Sequence, residues 1–181
     1  MTKYISVLSS KQSENFEAIK EYFKDKDTEV IQTNSILEAS DADLCIVDEF
    51  YGHLKPEILE CTQFIKIHYS LLPAFDTQRP VEDAFEAGVK VSGVTVNYIN
   101  NDGTNGKIIA QYPVFVDYTT TLEEFRQECY NVSKKLVPFA AKSVLDDVIF
   151  NFGMLLNPNS QNNGCNCENG GCKACLDKES K

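Results

Sequence analysis

Apolar runs alternate with amphipathic stretches along the first half of the chain. The runs predict four buried strands, at residues 4–8, 29–32, 43–47 and 64–67. Between the first two, Phe16, Ile19 and Phe23 have helical spacing, and Ser13 predicts the start of that helix. Strands alternating with helices are typical of an α/β domain with a mostly parallel sheet.

The second half continues this pattern. Residues 80–87 predict a helix that ends at Gly88, residues 89–99 predict a long strand, and residues 100–105 predict a polar turn. Three threonines at 119–121, followed by two glutamates, predict a capping box for a last helix. Proline lacks a backbone N–H, so we expect Pro138 to interrupt that helix.

Length and composition fit one folded domain with an appendage. The chain has 181 residues, 43% of them hydrophobic, enough for a single core. We expect a domain at residues 1–156, a polar linker at residues 157–164 that is rich in Asn, and a Cys-rich tail at residues 165–181.

The excess of acidic over basic residues argues against some classes of binding partner. A formal charge of -10 and a pI near 4.7, without a basic cluster, argue against binding to nucleic acid or anionic lipid. No apolar run approaches the length of a membrane span, and the chain begins with a strand pattern where a signal peptide would have its apolar core. We expect a cytoplasmic protein whose seven cysteines are thiols or metal ligands.

Four of these cysteines are clustered in the tail, with the spacing C-x-C-x4-C-x2-C, and glycines between them allow tight turns. Four thiolates suit tetrahedral zinc or an iron-sulfur cluster. The alternative is a disordered tail with free thiols. The candidate ligands are Cys165, Cys167, Cys172 and Cys175. The other three, Cys45, Cys61 and Cys129, lie in apolar patterns and are expected to fill the core.

Candidate chemistry centres on residues 67–75, Ile-His-Tyr-Ser-Leu-Leu-Pro-Ala-Phe. His68 lies where the fourth strand opens into a loop, and histidine exchanges protons near neutral pH. The segment resembles the His-x-Ser-Leu-Leu-Pro signature of the formyltransferase family that uses 10-formyltetrahydrofolate. Residues 86–96 and 106–111 are also similar to family strings, so the resemblance covers residues 1 to about 150 and is closest at 64–111.

The resemblance implies a doubly wound α/β sheet of formyltransferase type and transfer of a formyl group to a small-molecule amine. Family members use an Asn-x-His pair and a later Asp. Carried over, the His is His68, the Asn position is Lys66 and the Asp position is Thr104. Lys66 is able to donate to an oxyanion, and Asp102 is an alternative carboxylate. The alternative is that none of these residues is catalytic: His68 is a remnant of an ancestral active site, Lys66 points to solvent and Asp102 only forms an Asp-Gly turn.

The loop after the third strand matches the family segment that wraps the pterin of the folate. The resemblance implies folate-binding candidates in this loop and on the facing walls, at Phe50, Tyr51, Gly52, His53, Leu54, Ser70, Asn97 and Asn101. An aromatic pair is able to stack on a pterin, although Phe50 and Tyr51 also fit the core or its rim, and His53 fits the surface.

The first strand-to-helix loop departs from the family pattern. In glycinamide ribonucleotide formyltransferases it is glycine-rich and holds the substrate phosphate, whereas residues 9–15 here contain no glycine and only Asn15 keeps the family residue type. Lys11 is either a phosphate ligand or a solvated lysine. The departure argues against a ribonucleotide substrate, and the acceptor amine and oligomeric state stay open.

Two functional classes remain at this stage. The first is an enzyme that moves a formyl group from 10-formyltetrahydrofolate to a small-molecule amine, with His68 as proton carrier. The second is a non-catalytic binding or regulatory protein that keeps the fold and reports metal or redox state through its tail.

Overall fold

The computed structural model describes residues 2–152 and residue 155. The chain divides into two units, residues 1–150 and residues 151–181, and the strands found among the described residues lie in the first. The elements in chain order are β1 (Lys3–Leu8), α1 (Phe16–Phe23), β2 (Thr28–Thr33), α2 (Ile36–Ser40), β3 (Leu44–Val47), α3 (Pro56–Leu59), β4 (Gln63–His68), α4 (Pro80–Glu86), β5 (Val91–Ile99), β6 (Asn105–Phe115) and α5 (Leu122–Leu145).

One six-stranded sheet, in the order β2-β1-β3-β4-β5-β6, organises the first unit. Strands β2, β1, β3 and β4 pair in parallel, while β5 is antiparallel to both β4 and β6. The predicted α/β fold with a mostly parallel sheet is therefore confirmed. The chain runs outward in both directions from β1, and such a reversal opens a crevice at the carboxyl ends of the strands, where ligands bind in open α/β sheets.

Helices cover both faces of the sheet. On one face a core cluster joins strand residues Leu8, Cys45, Val47 and Phe64 to Ala39 of α2 and Leu59 of α3. The α5 helix packs against β5 and β6 and contacts α1 and α4. Strands buried on both sides explain the continuous apolar run of β3, in which all four residues are buried.

Two predicted helix boundaries are wrong. Helix α1 begins at Phe16 and not at Ser13, because the Ser13 hydroxyl accepts from the Asn15 N–H in a turn before the helix and donates to Asp48 across the fold. Pro138 does not interrupt the last helix, since α5 continues from Leu122 to Leu145 with Pro138 buried inside it. The capping box is confirmed, with the Thr121 hydroxyl and the Glu124 carboxylate each bound to the other's backbone N–H.

The cysteine prediction holds at two of its three positions in this unit. Cys45 and Cys129 are buried, and burial raises the pKa of each thiol to about 12, as expected of inert core residues. Cys61 is exposed, so its assignment to the core is wrong; it follows α3 and its Sγ lies 3.2 Å from the Glu57 carbonyl oxygen. Within the described part of the chain, no helix is both long and apolar enough to cross a membrane.

Candidate functional site

A cleft of about 470 Å³ lies at the carboxyl ends of β3 and β4. Its walls are the loop after β3, the end of β4 with the loop that leads into α4, and the inner face of α5. The charged and aromatic side chains that line this cleft are Glu49, Phe50, Tyr51, Lys66, His68, Tyr69, Arg79, Glu82, Arg126 and Tyr130. The cleft lies at the same carboxyl edge of the sheet as the reversal between β1 and β3, one strand further along.

His68 is the last residue of β4 and is 3% exposed. Its Nε2 atom lies 3.0 Å from the Phe75 carbonyl oxygen, which only accepts hydrogen bonds, so Nε2 carries the proton. Burial lowers the pKa of His68 and the Lys66 charge lowers it further, against opposing effects of the Phe75 contact and Asp76. His68 is therefore a neutral imidazole near pH 7, with an unprotonated Nδ1 that is able to accept a proton.

The loop after His68 is held by two side chains from the antiparallel strands. The Thr95 hydroxyl donates to the Ser70 carbonyl at 2.7 Å and accepts from the Leu72 N–H at 3.1 Å. The Gln111 amide donates to the Leu72 carbonyl at 2.9 Å. Phe75, whose carbonyl receives the His68 N–H, has a φ of 53°, in the left-handed region that few residues adopt. These contacts hold the loop so that the Phe75 carbonyl faces the imidazole of His68.

Lys66 lies two residues before His68 on β4 and so shares its face of the sheet. It is half-buried, lines the cleft, and pairs across the sheet with Asn97 of β5. Asn97 is buried; its Nδ2 donates to Asn105 at 3.2 Å, and its Oδ1 has no hydrogen-bond partner among the described residues. The structure therefore brings Lys66 and His68 together on one wall of the cleft.

Asp102 and Thr104 lie apart from that pair. Both are exposed in the turn between β5 and β6, and neither is among the residues that line the cleft. The Asp102 carboxylate accepts from the Thr104 backbone N–H at 3.0 Å and from its hydroxyl at 2.6 Å. These bonds lower the pKa of Asp102, and Gly103 between them has a φ of 82°. This geometry is a closed Asp-Gly turn.

The loop after β3, residues 50–54, is partly buried against the core and partly exposed. Phe50 and Leu54 pack against the core cluster, while Tyr51 is 74% exposed at the mouth of the cleft. A Cβ on Gly52 would lie 2.3 Å from the Phe50 ring, so the close approach of the loop to that ring requires glycine. His53 is exposed and is not among the cleft residues.

The remaining two folate candidates differ in burial. Ser70 is fully buried, and its hydroxyl donates to the Ala74 carbonyl within the loop after β4. Asn101 is exposed in the turn between β5 and β6. Ser70 therefore shapes the loop beside His68, and Asn101 remains open to solvent.

A buried polar network supports the cleft from below. Asp48, 0% exposed at the end of β3, accepts from the Ser13 hydroxyl at 2.6 Å, the Asn15 amide at 2.9 Å and the Tyr69 hydroxyl at 2.9 Å. Asn15 in turn accepts from the Ser133 hydroxyl of α5 at 2.7 Å. The network joins the loops after β1, β3 and β4 to α5, so it fixes the relative positions of the cleft walls.

Replacing Asp48 with alanine is expected to destabilise the fold by at least about 1–3 kcal/mol, because it leaves three buried donors without their acceptor. Urea unfolding followed by circular dichroism measures this change. Asp41→Ala, at an exposed position, is the matched control and is expected to stay within about 0.5 kcal/mol of the wild type. An Asp48→Ala protein as stable as that control would show that the network contributes nothing.

The sequence analysis missed several charged and aromatic residues of the cleft. Glu49 accepts from the Tyr130 hydroxyl at 3.3 Å, and its other oxygen lies 3.0 Å from Lys11 Nζ. Arg126 of α5 binds Glu82 of α4 at 2.7 Å, which lowers the pKa of Glu82. A polar stripe on α5, with Arg126 and Tyr130 four residues apart, is the signal that would have indicated a helix wall facing a site.

No group of three or more His, Cys, Asp or Glu residues that could hold a metal ion occurs within residues 2–152 and 155. The four tail cysteines, Cys165, Cys167, Cys172 and Cys175, lie outside the described residues. Zinc or iron-sulfur binding by the tail therefore stays a prediction from the spacing of these cysteines.

Comparison with known proteins gives consistent matches. Residues 5–140 match the family model described as formyl transferase. The formyltetrahydrofolate deformylase of Escherichia coli K12 is 34% identical over 119 residues, which are 65% of this chain and 42% of that protein. The phosphoribosylglycinamide formyltransferase of Bacillus subtilis is 42% identical over 83 residues, which are 46% of this chain and 43% of that enzyme. The chain thus matches less than half the length of these curated relatives.

Solved structures share the fold. The phosphoribosylglycinamide formyltransferase of Anaplasma phagocytophilum has a TM-score of 0.69 at 23% identity, covering 81% of this chain and 88% of that one. A formyltetrahydrofolate deformylase of Pseudomonas syringae has a TM-score of 0.70 at 20% identity, covering 83% of this chain and 67% of that one. At these identities the likeness establishes the architecture of the sheet and its helices.

Proposed function

The chain belongs to the formyl transferase family, and from this premise we propose that it moves a formyl group from 10-formyltetrahydrofolate to a small-molecule amine. The observation that carries the proposal is the placement of Lys66 and His68 on one wall of the cleft, with the imidazole buried, neutral and fixed in its tautomer. A base and a cationic donor side by side are what acyl transfer to an amine requires.

The proposed reaction begins when the amine nitrogen attacks the formyl carbon and the carbonyl oxygen becomes an oxyanion. Lys66 donates to that oxyanion, and His68 accepts the proton that the amine loses. The bond from the formyl carbon to N10 of the folate then breaks, and His68 returns the proton to N10. The products are a formylated amine and tetrahydrofolate, so His68 ends the cycle neutral. Asp102 and Thr104 have no step in this scheme, because their turn closes on itself.

The folate is proposed to enter beside the loop of residues 50–54. Tyr51 offers an exposed ring at the mouth of the cleft, while Phe50 and Leu54 hold the loop against the core. Asn97 pairs across the sheet with Lys66, but it is fully buried and is not among the cleft residues, so this proposal gives it no contact with the ligand. Titration calorimetry of the folded chain with 5-formyltetrahydrofolate tests this. Binding is expected, and its absence at millimolar ligand would remove the folate site.

Hydrolysis is the second candidate function, favoured by the identity to proteins named formyltetrahydrofolate deformylase. Water would replace the amine and would use the same two side chains, with formate as the product. The two reactions differ in one readout, since hydrolysis releases tetrahydrofolate without any added amine.

We also propose that the tail binds zinc or an iron-sulfur cluster through Cys165, Cys167, Cys172 and Cys175, because four closely spaced thiolates suit either. About one zinc, or one coloured cluster, per chain is expected on elemental analysis of the purified protein. A chain that ends at Ser160 is the control and should contain none. Equal metal content in the two proteins would exclude the tail as the metal site.

A further inference from the structure

The loop after β1 and the loop after β3 are tied together along one seam. The Ser10 N–H donates to the Glu49 carbonyl at 3.4 Å, and the Tyr51 N–H donates to the Ser10 hydroxyl at 3.0 Å. The Lys11 ammonium lies 3.0 Å from the Glu49 carboxylate. One ion pair, one backbone–backbone hydrogen bond and one hydrogen bond from a backbone N–H to a side chain therefore join these loops.

The seam stands between two cavities. Glu49 lines the cleft that contains Lys66 and His68, whereas Lys11 lines a second cavity of about 510 Å³ beside the ends of β1 and β2. Apart from Phe16, the other walls of the second cavity are polar and are formed by Ser9, Ser10, Gln12, Gln32, Thr33 and Asn34. An acceptor longer than the first cleft would have to cross the Lys11–Glu49 pair to reach this space.

Glu49 holds its place at a conformational cost. Its φ is 47°, in the left-handed region where glycine is favoured and a glutamate is rare. Its side chain is 18% exposed; Oε1 accepts a hydrogen bond from Tyr130, and Oε2 forms an ion pair with Lys11 but has no hydrogen-bond partner among the described residues. Although burial opposes it, the close contact and charge of Glu49 raise the pKa of Lys11. Strained residues that the surroundings hold in one conformation cluster at functional sites.

Lys11 neutralises the Glu49 carboxylate, and the arginines of the cleft are paired with other glutamates. Arg126 is bound to Glu82 at 2.7 Å and to Glu123 at 2.6 Å, and Arg79 is bound to Glu86 at 3.1 Å. A phosphate or carboxylate on the acceptor would therefore meet a lysine at the seam that Glu49 already neutralises, and arginines that are already paired.

We propose that the Lys11–Glu49 pair determines the acceptor class. It closes the cleft against the second cavity and excludes acceptors that carry a phosphate or carboxylate. The cleft accepts compact amines that carry no negative charge. A hydroxyl or second amino group of such an amine donates to Glu49, whose carboxylate oxygens are able to accept additional hydrogen bonds. This inference rests on the proposed function, which supplies the amine acceptor. The closure of the cleft is testable by ligand binding alone.

The test compares binding of ribose 5-phosphate with binding of ribose to the full chain by titration calorimetry. Glu49→Gly removes the carboxylate and suits the positive φ, so the variant is expected to fold. It should bind ribose 5-phosphate about tenfold more tightly than the wild type or better, because loss of the carboxylate opens the wall and leaves the Lys11 ammonium free to bind the phosphate. Glu49→Gln, which keeps the volume, should show a smaller gain, and adding Lys11→Met to Glu49→Gly should remove the gain.

Glu14→Gln is the matched control, since it breaks a different ion pair between the loop after β1 and a lysine of α5. It is expected to leave both affinities unchanged. Wild-type binding of ribose 5-phosphate as tight as that of Glu49→Gly, or an equal gain in Glu14→Gln, would overturn the proposal. Neither outcome depends on turnover, so an inactive enzyme would contradict the proposed function without affecting this result.

Discussion

Replacing His68 with alanine is expected to lower kcat/KM for formyl transfer by about 100- to 10,000-fold, the usual contribution of a general base. The imidazole is buried at the end of β4, and its proton is held on Nε2 by the Phe75 carbonyl, which leaves Nδ1 to accept the proton of the amine. Steady-state release of tetrahydrofolate measures the effect.

His68→Gln separates the base from the hydrogen bond. A glutamine amide is able to donate to the Phe75 carbonyl but is not a base, so this variant should be as slow as alanine. Recovery of wild-type rates in His68→Gln would mean that the residue only positions the loop. Circular dichroism of both variants checks that the fold is intact.

The pH dependence has a defined sign. Burial lowers the pKa of His68 in the folded protein, so the base stays unprotonated, and the rate stays flat, as pH falls to about 6.5, the ordinary value. The rate should then fall as pH drops through the lowered pKa. Between these two values the unfolded chain binds the proton and the folded chain does not, so stability is also lost on acidification. Both effects should be absent in His68→Gln.

Replacing Lys66 with methionine is expected to lower kcat by about 100- to 1000-fold, as for loss of one oxyanion donor. Methionine keeps the length and apolar character of the stem while removing the ammonium group. Because the Lys66 charge lowers the pKa of His68, the variant should also lose activity at a higher pH than the wild type on acidification. Folate affinity should change little, since the proposed contact forms as the oxyanion develops.

Two further variants test whether the loss of activity comes from the missing hydrogen-bond donor at position 66 or from the missing positive charge. Lys66→Asn places at this position the residue type of the family motif, and its amide is a donor, so it should lose much less activity than methionine. Lys107→Met, at an exposed position of β6, controls for loss of one positive charge. Equal activity of Lys66→Met and Lys107→Met would remove Lys66 from the mechanism.

Local sequence patterns predicted the parts of this molecule that local chemistry determines. The end of β4 at His68 followed from an apolar run that stops at a histidine, and the start of α5 followed from a threonine with a glutamate three residues later. The loop after β4 belongs to the segment that resembles the family most closely, and its contacts with Thr95 and Gln111 show why those strings go together.

Local sequence patterns could not predict contacts between residues that are far apart in the sequence. Ser13 is a good helix cap by residue type, yet its hydroxyl binds Asp48, which lies 35 residues away, and Asn15 binds Ser133 across 118 residues. Glu49 gave no local signal either, because its role depends on Lys11 and Tyr130, which approach it only in the folded sheet. Pro138 was expected to interrupt α5, but tertiary packing keeps the helix continuous around it.

Release of tetrahydrofolate from 10-formyltetrahydrofolate by the full chain tests the central claim most directly. The assay uses a panel of compact, unphosphorylated amines and a sample without amine, with His68→Ala run in parallel. We predict release that requires an amine, yields its formylated product and is lost in His68→Ala. Release without any amine would instead show hydrolysis. Release that persists in His68→Ala, or no release at all from a protein that binds folate, would contradict a formyl transfer reaction at this cleft.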